Sequence, residues 1–236
     1  MISEKQQRDF LLDRKWKKFL RLRPFFEIVP FVDFVLGSGS MALGDINANS
    51  DFDVTIGARR GRIFTVRFLT ALVFELIGRR RSKHDNKENS KDKVCLNHFI
   101  TENSYRLAPP HGIYWQTLYS RTVPIIGKKE ALAKFAKANE DWIGKNIFSF
   151  EDRRYRPSDS NFLRSIGEFV LGGFIGDILE KFLKMIQLAR IKKGLKKETG
   201  FKPRLRFDDE ELEFHPDTSK AEKFNQKAAF IDQLAE

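Results

Sequence analysis

The chain has 236 residues, enough to bury a real core as one large domain or two small ones, and its 41% hydrophobic and 32% charged content is that of a globular protein. A single cysteine, Cys95, excludes an internal disulfide framework and points to a reducing, cytoplasmic compartment, and inside an apolar-alternating segment it reads as a buried, inert thiol. The net charge of +11 favours contact with polyanions such as nucleic acid; no stretch is apolar for long enough to cross a bilayer, and the charged N-terminal residues lack the apolar centre of a signal peptide.

Residues 4–22 are predicted to form an amphipathic helix, with Phe10, Leu11, Trp16, Phe19 and Leu20 near helical spacing and Pro24 as its stop. FVDFVL, residues 31–36, is predicted as a first strand that runs into a Gly/Ser turn. DFDVTI, residues 51–56, alternates as a second strand, with Phe52, Val54 and Ile56 inward and Asp51, Asp53 and Thr55 outward. Residues 61–78 are apolar almost all round, with Arg67 and Glu75 as interior charges, and predict a buried helix packed on the sheet. Residues 79–93 are expected to be a solvated loop, VCLNHFI at 94–100 a third strand, Pro109-Pro110 a turn, and 129–142 a helix.

Composition shifts near residues 150–160, so an N-terminal domain over 1–150 and a helical C-terminal domain over 151–236 are expected. Within 161–191, Phe162, Ile166, Phe169, Val170, Ile178, Phe182 and Ile186 recur at helical steps, and Gly172, Gly173 and Gly176 leave open a kink or two helices. The basic stretch 190–206 is expected to be a loop, with one more short helix from about 218. The fold class is therefore α/β (α+β): a mixed sheet with flanking helices, then a mainly helical C-terminal region.

The chemistry concentrates between the first two strands. From Gly39 the chain reads G-S-M-A-L-G, then five residues, then S-D-F-D beginning at Ser50. Glycine permits a tight turn where main chain can approach a phosphate closely. Backbone N–H groups around Ser40, ahead of a helical turn, make a concavity suited to an anion. Asp51 and Asp53, two apart on a strand, project to one side, where they repel each other unless a cation lies between them. Mg²⁺ takes one or two carboxylates together with substrate phosphates, so the pair predicts a metal site that also holds a nucleoside triphosphate.

This ordered combination resembles the nucleotidyltransferase superfamily typified by DNA polymerase beta, including its minimal members, over residues 31 to about 100. VRFLTALVFELIG, VCLNHFI and EFHPD are similar to a bacterial and archaeal branch of it whose acceptor is not established. The resemblance implies a nucleotidyltransferase-like sheet and two-metal transfer of NMP from an NTP, with ATP the expected donor, to an acceptor hydroxyl. It assigns Asp51 and Asp53 to Mg²⁺ and catalysis, and Gly39, Ser40 and Ser50 to the nucleotide. The acceptor stays open among RNA, a protein hydroxyl and a small molecule.

One departure stands out. The family places a third carboxylate on a neighbouring strand, but KVCLNHFI has neither Asp nor Glu. Asn97 is the residue best placed for the slot: its carbonyl can ligate Mg²⁺ but cannot accept a proton, and a strand-end hydrogen bonder is its alternative role. His98 is expected on the opposite face, and Glu102, just past the strand, could swing in. Three readings follow: an active enzyme, a nucleotide-binding regulatory protein that has lost the third carboxylate, and an RNA-binding adaptor using the basic stretch 190–206.

Other candidates have bland alternatives. Arg59, Arg60 and Arg62 could meet a triphosphate or an RNA backbone, or form a solvated loop. His215, with Asp208, Asp209 and Glu213, offers metal ligands or turn chemistry around Pro216. His84 and His111 lie in loops without partners at ligand spacing, and no Cys/His zinc pattern exists.

Overall fold

The strands of this chain carry apolar residues on both sides, and each side meets its own layer of helices. The computed structural model describes residues 3–82, 85–86, 88–145, 147–158, 161–195, 205–214 and 221–226. Strands β1 (Val32–Gly37), β2 (Phe52–Ala58), β3 (Val94–Ile100), β4 (Val123–Gly127), β5 (Arg156–Pro157), β6 (Leu205–Phe207) and β7 (Glu211–Phe214) form one mixed sheet in the order β5-β4-β1-β2-β3-β7-β6. Strand β1 runs antiparallel to both β2 and β4, whereas β2 and β3 are parallel. A parallel pair needs a crossover, and α4 (Ile63–Leu76) supplies it.

One face buries Val35, Val54, Ile56 and Phe99 under α1 (Glu4–Leu20), α2 (Arg23–Glu27) and α4. The other buries Phe34, Leu36 and Ile100 under α5 (Ile113–Ser120), α6 (Lys129–Ala138) and α7 (Glu140–Ile143). Phe34 explains two of the glycines beside it. A Cβ on Gly57 would lie 2.5 Å from the Phe34 ring, and one on Gly127 would lie 2.4 Å from its Cβ. The abundant Phe therefore fills two cores; rings such as Phe26 and Phe74, with centroids 4.5 Å apart, carry the larger one.

Several expectations are corrected. Pro24 does end the first helix, but it also opens α2, where its missing N–H costs nothing. Thr55 is buried, because the side of β2 expected to face water is covered by the second helical layer. The helix over 61–78 shortens to α4 and is not buried all round: Phe68, Leu72 and Leu76 are exposed. The helix over 129–142 splits at the buried Asn139, whose side chain accepts from Leu107 N and donates to Tyr105 O and Phe135 O. Strands β4, β6 and β7 and helix α5 have no counterpart in the sequence reading. The long C-terminal helix resolves as α8 (Phe162–Leu171) and α9 (Phe174–Leu195), broken at Gly172-Gly173. The expected basic loop begins within α9, and its residues 196–204 lie outside the described residues. Of the expected last helix, 221–226 is helical and the rest lies outside them.

Polar side chains fasten α8 to the sheet. Glu168 accepts from Phe31 N at 3.0 Å, Arg59 Nη2 at 2.8 Å and Arg164 Nε at 2.9 Å, while Arg164 Nη2 donates to Val32 O at 2.8 Å. Burial alone would lift this carboxyl, yet the Arg164, Phe31 and Arg59 donors hold it down at about 2, against an ordinary 4.5. A carboxylate with a lowered folded pKa stabilises the fold above its unfolded pKa and loses that contribution as pH falls. Glu168→Gln should therefore cost on the order of 2 kcal/mol in urea unfolding near pH 7. The gap from wild type should close as pH drops from 4.5 towards 2; a gap independent of pH would contradict the assignment.

Candidate functional site

The site begins with a buried lysine on α1. Lys15 Nζ donates to Ser50 O at 2.6 Å and pairs with Asp92 Oδ1 at 2.8 Å, and Lys18 joins Asp92 from the next turn. Burial would raise the Asp92 carboxyl, but the hydrogen bonds from Lys15 and Lys18 outweigh it and hold the group below its ordinary value. Phe52 N in turn donates to Lys93 O at 2.8 Å. The segments entering β2 and β3 are thus pinned side by side, which sets Asp51 and Asp53 against the first residues of β3.

Ser50, expected to bind nucleotide, closes a turn: its Oγ accepts from Asn47 N at 2.9 Å. Its carbonyl holds Lys15, so its contribution is to the position of Asp51. On the other side, β1 leads through Ser38, whose N–H donates to Asp53 O at 3.0 Å, into the short helix α3 (Gly39–Leu43). Gly39 has φ +64°, and a Cβ there would lie 2.0 Å from Asp53 Oδ2 and 2.6 Å from its carboxyl carbon. The turn needs glycine for its backbone and, independently, for the carboxylate pressed against it. Half-buried Ser40 follows on α3, its carbonyl accepting from Asp45 N at 3.0 Å.

Asp51, Asp53 and Cys95 bring their oxygen and sulfur atoms within 4.8 Å of one another, with Cys95 directly beside Asp53 across the β2–β3 ladder. Asn97 is also on this side. It presents an N–H to Asp53, with Nδ2 3.3 Å from Oδ1, and so orients the carboxylate by donating to it. The cation facing the pair is Arg81, whose Nη1 lies 2.5 Å from Asp51 Oδ2 and 3.6 Å from Cys95 Sγ. Residues 79–93 are therefore not merely a solvated loop. Burial pulls the Arg81 guanidinium down, but Asp51, Cys95 and Asp53 together hold it above its ordinary value. Cys95 is pushed well up, by burial first and then by Asp53 and Asp51, so it is a neutral thiol. Tyr114, at the start of α5, is raised by burial and then by Asp53 and Asp45.

The remaining candidates fall elsewhere. The β2–β3 register slips by one residue after Asp53, so Thr55 pairs with His98 instead of Asn97. His98 therefore shares the Asp53 face, contrary to expectation, and its Nε2 lies 3.1 Å from Glu211 Oε1 on β7. His98, Glu211 and Glu213 form a second buried cluster, with Arg206 Nε 3.7 Å from each glutamate. Glu213 thus belongs with His98, while His215 and His84 lie outside the described residues. Asp208 caps the turn into β7, accepting from Glu210 N and Glu211 N, and Asp209 pairs with Lys184 at 2.6 Å. Glu102 does not swing in: it sits beyond the far end of β3, paired with Lys134 at 2.5 Å. Arg59, Arg60 and Arg62 leave the end of β2 away from Asp51 and face Glu168, Glu210 and Asp177. His111 stacks on Trp142, with centroids 4.1 Å apart.

The structure thus gathers Gly39, Asp51, Asp53 and Asn97, with Ser40 and Ser50 in the adjoining turns. Sequence reasoning missed Cys95, Arg81, Tyr114 and Lys15. Cys95 could have been found, since it is two residues from Asn97 on one strand; Arg81 and Lys15 carry no periodic signal.

Gly39→Ala should cost roughly 3 kcal/mol, from the left-handed backbone and the overlap with Asp53 together. In an Asp53→Gly background only the backbone part should survive, about 1 kcal/mol. A double-mutant cycle in urea tests this, and equal costs in both backgrounds would refute the contact. Comparison with protein-family models, curated proteins and solved structures gave no match, so the geometry alone carries the functional reading.

Proposed function

We propose that the protein is a nucleotidyltransferase that moves NMP from an NTP, with ATP the expected donor, to an acceptor hydroxyl and releases pyrophosphate. One observation supports this above others: the Asp53 carboxylate lies against a main-chain turn too close to admit a Cβ, with the Asp51 carboxylate within 4.8 Å of it. Bare backbone beside paired anions suits a triphosphate carrying a divalent cation. The donor set fits Mg²⁺ through Asp51 and Asp53, with phosphate oxygens and water completing the shell, whereas a neutral Cys95 thiol adds nothing for so hard an ion. When bound, Mg²⁺ supplies neutralisation of charge on the phosphate oxygens.

The chain's own residues do the positioning. The Gly39-Ser40 turn gives the phosphates a close seat, and Asn97 holds Asp53 in one orientation. Arg81 offsets the charge of Asp51, and with Mg²⁺ held by the aspartates its guanidinium would be available to the departing pyrophosphate. In the transfer, the acceptor oxygen bonds to the α-phosphorus while the bond from it to the bridging oxygen breaks. The electron pair leaves with pyrophosphate and the acceptor proton passes to water.

A second reading has its own support. Beside Asp53, β3 offers Cys95 and Asn97 and no carboxylate, which favours a nucleotide-binding regulatory protein without turnover. The RNA-adaptor reading rests on 190–206, much of which lies outside the described residues. RNA, a protein hydroxyl and a small molecule all remain acceptors for the first reading. No described helix is long and apolar enough to cross a membrane, and a cytoplasmic setting would supply the NTP.

Calorimetry with ATP and Mg²⁺, alongside pyrophosphate release, separates the readings. Asp51→Asn/Asp53→Asn should weaken Mg²⁺-dependent ATP binding roughly 100-fold or more with the fold retained. Unchanged binding would sink the site. Asn97→Asp adds an anionic ligand and a proton acceptor, so it should tighten metal binding and raise turnover in an enzyme. Tighter binding with no product from either protein would select the regulatory reading.

A further inference from the structure

Helices α8 and α9 turn Arg164, Glu180 and Gln187 inward while a row of large apolar side chains faces outward, unlike an ordinary surface helix. Their inner sides are fully committed. Glu168 and Arg164 bind the β1 backbone as described. Glu180 accepts from Phe64 N and Thr65 N at 2.8 Å each, capping α4, and Gln187 Nε2 donates to Phe64 O at 2.8 Å. Leu183 reaches the core.

Their outer sides carry Phe162, Ile166 and Phe169 on α8, and Phe174, Ile178 and Phe182 on α9, all exposed. Phe162 is 77%, Phe169 88% and Phe174 78% accessible. With their apolar neighbours these side chains present on the order of 1,000 Å² of apolar surface, against about 300–600 Å² for the largest patch on a typical monomer. A stable protein–protein interface takes about 800 Å² from each partner.

We propose that this face is the interface of a homodimer, its occupant a second copy of this chain. The area matches one protomer's share, and a patch rich in Phe and Ile with few charges has the composition of an interface core. A two-fold axis lets one such patch cover itself, so a single sequence suffices. A helix lying on an anionic membrane would carry basic residues along its apolar edge. The one basic residue of α8, Arg164, is instead buried against Glu168, Ser158 and Val32 O, whereas α9 exposes Lys181 among its apolar side chains, so vesicle binding is the competing outcome of the test.

Sedimentation equilibrium of the full chain tests the proposal, with co-sedimentation on phosphatidylserine vesicles in parallel. Wild type should weigh twice its 27.5 kDa chain, and Phe169→Glu/Phe174→Glu should raise the dissociation constant roughly 30-fold or more, the threshold of an interface hot spot. Should that pair disturb the α8–α9 break, Met185→Glu, at an exposed position further along α9, should act alike with wild-type circular dichroism. A monomeric wild type, with or without vesicle binding, overturns the proposal. So does a dimer that survives both variants.

Discussion

The contact between the Gly39 main chain and the Asp53 carboxylate is the constraint around which the centre of the molecule is arranged. It fixes where β1 may turn, because only a residue without a side chain fits beneath Asp53 Oδ2. It also fixes where β2 must begin, because Ser38 N–H holds the Asp53 carbonyl at the same point. Two strands and the turn between them are thereby locked to one carboxylate. A purely structural turn has no need of an anion at its tightest point, so the arrangement makes sense when the anion has work to do.

The second problem is charge. Asp51 and Asp53 lie within a few ångströms of each other, partly out of water, and such a pair is costly unless a cation offsets it. Arg81 meets that need through its contact with Asp51. The supporting cation Lys15 is spent one layer back, on Asp92 and the Ser50 carbonyl, where it stabilises the geometry without touching the pair. The pair is thus offset by Arg81 and framed by the buried Lys15. Under the proposal, a bound metal would take over the role of Arg81.

What could be read from the sequence was local. Gly39, Asp51 and Asp53 fall within fifteen residues, and their strand period and turn chemistry are both short-range signals. What could not be read depends on pairing between distant segments. Cys95 and Asn97 meet Asp53 only because β3 lies parallel to β2, and His98 joins that face only through a one-residue slip in the register. The strand β7 hides for another reason. Glu211 and Glu213 look like solvated acids, yet both are buried, tolerated there by His98 and Arg206. Helices α4 and α9 mislead in the opposite direction, since much of their apolar surface stays outside the core.

The central claim is that the Asp51–Asp53 pair is a divalent-cation and triphosphate seat, with Arg81 holding its place at rest. Anomalous scattering from crystals grown with Mn²⁺ and a non-hydrolysable ATP analogue tests it most directly. A manganese peak between the two carboxylates is predicted, with triphosphate oxygens against the Gly39-Ser40 turn and the Arg81–Asp51 contact broken. Nucleotide bound elsewhere, or no manganese at the pair with Arg81 still on Asp51, would contradict the account.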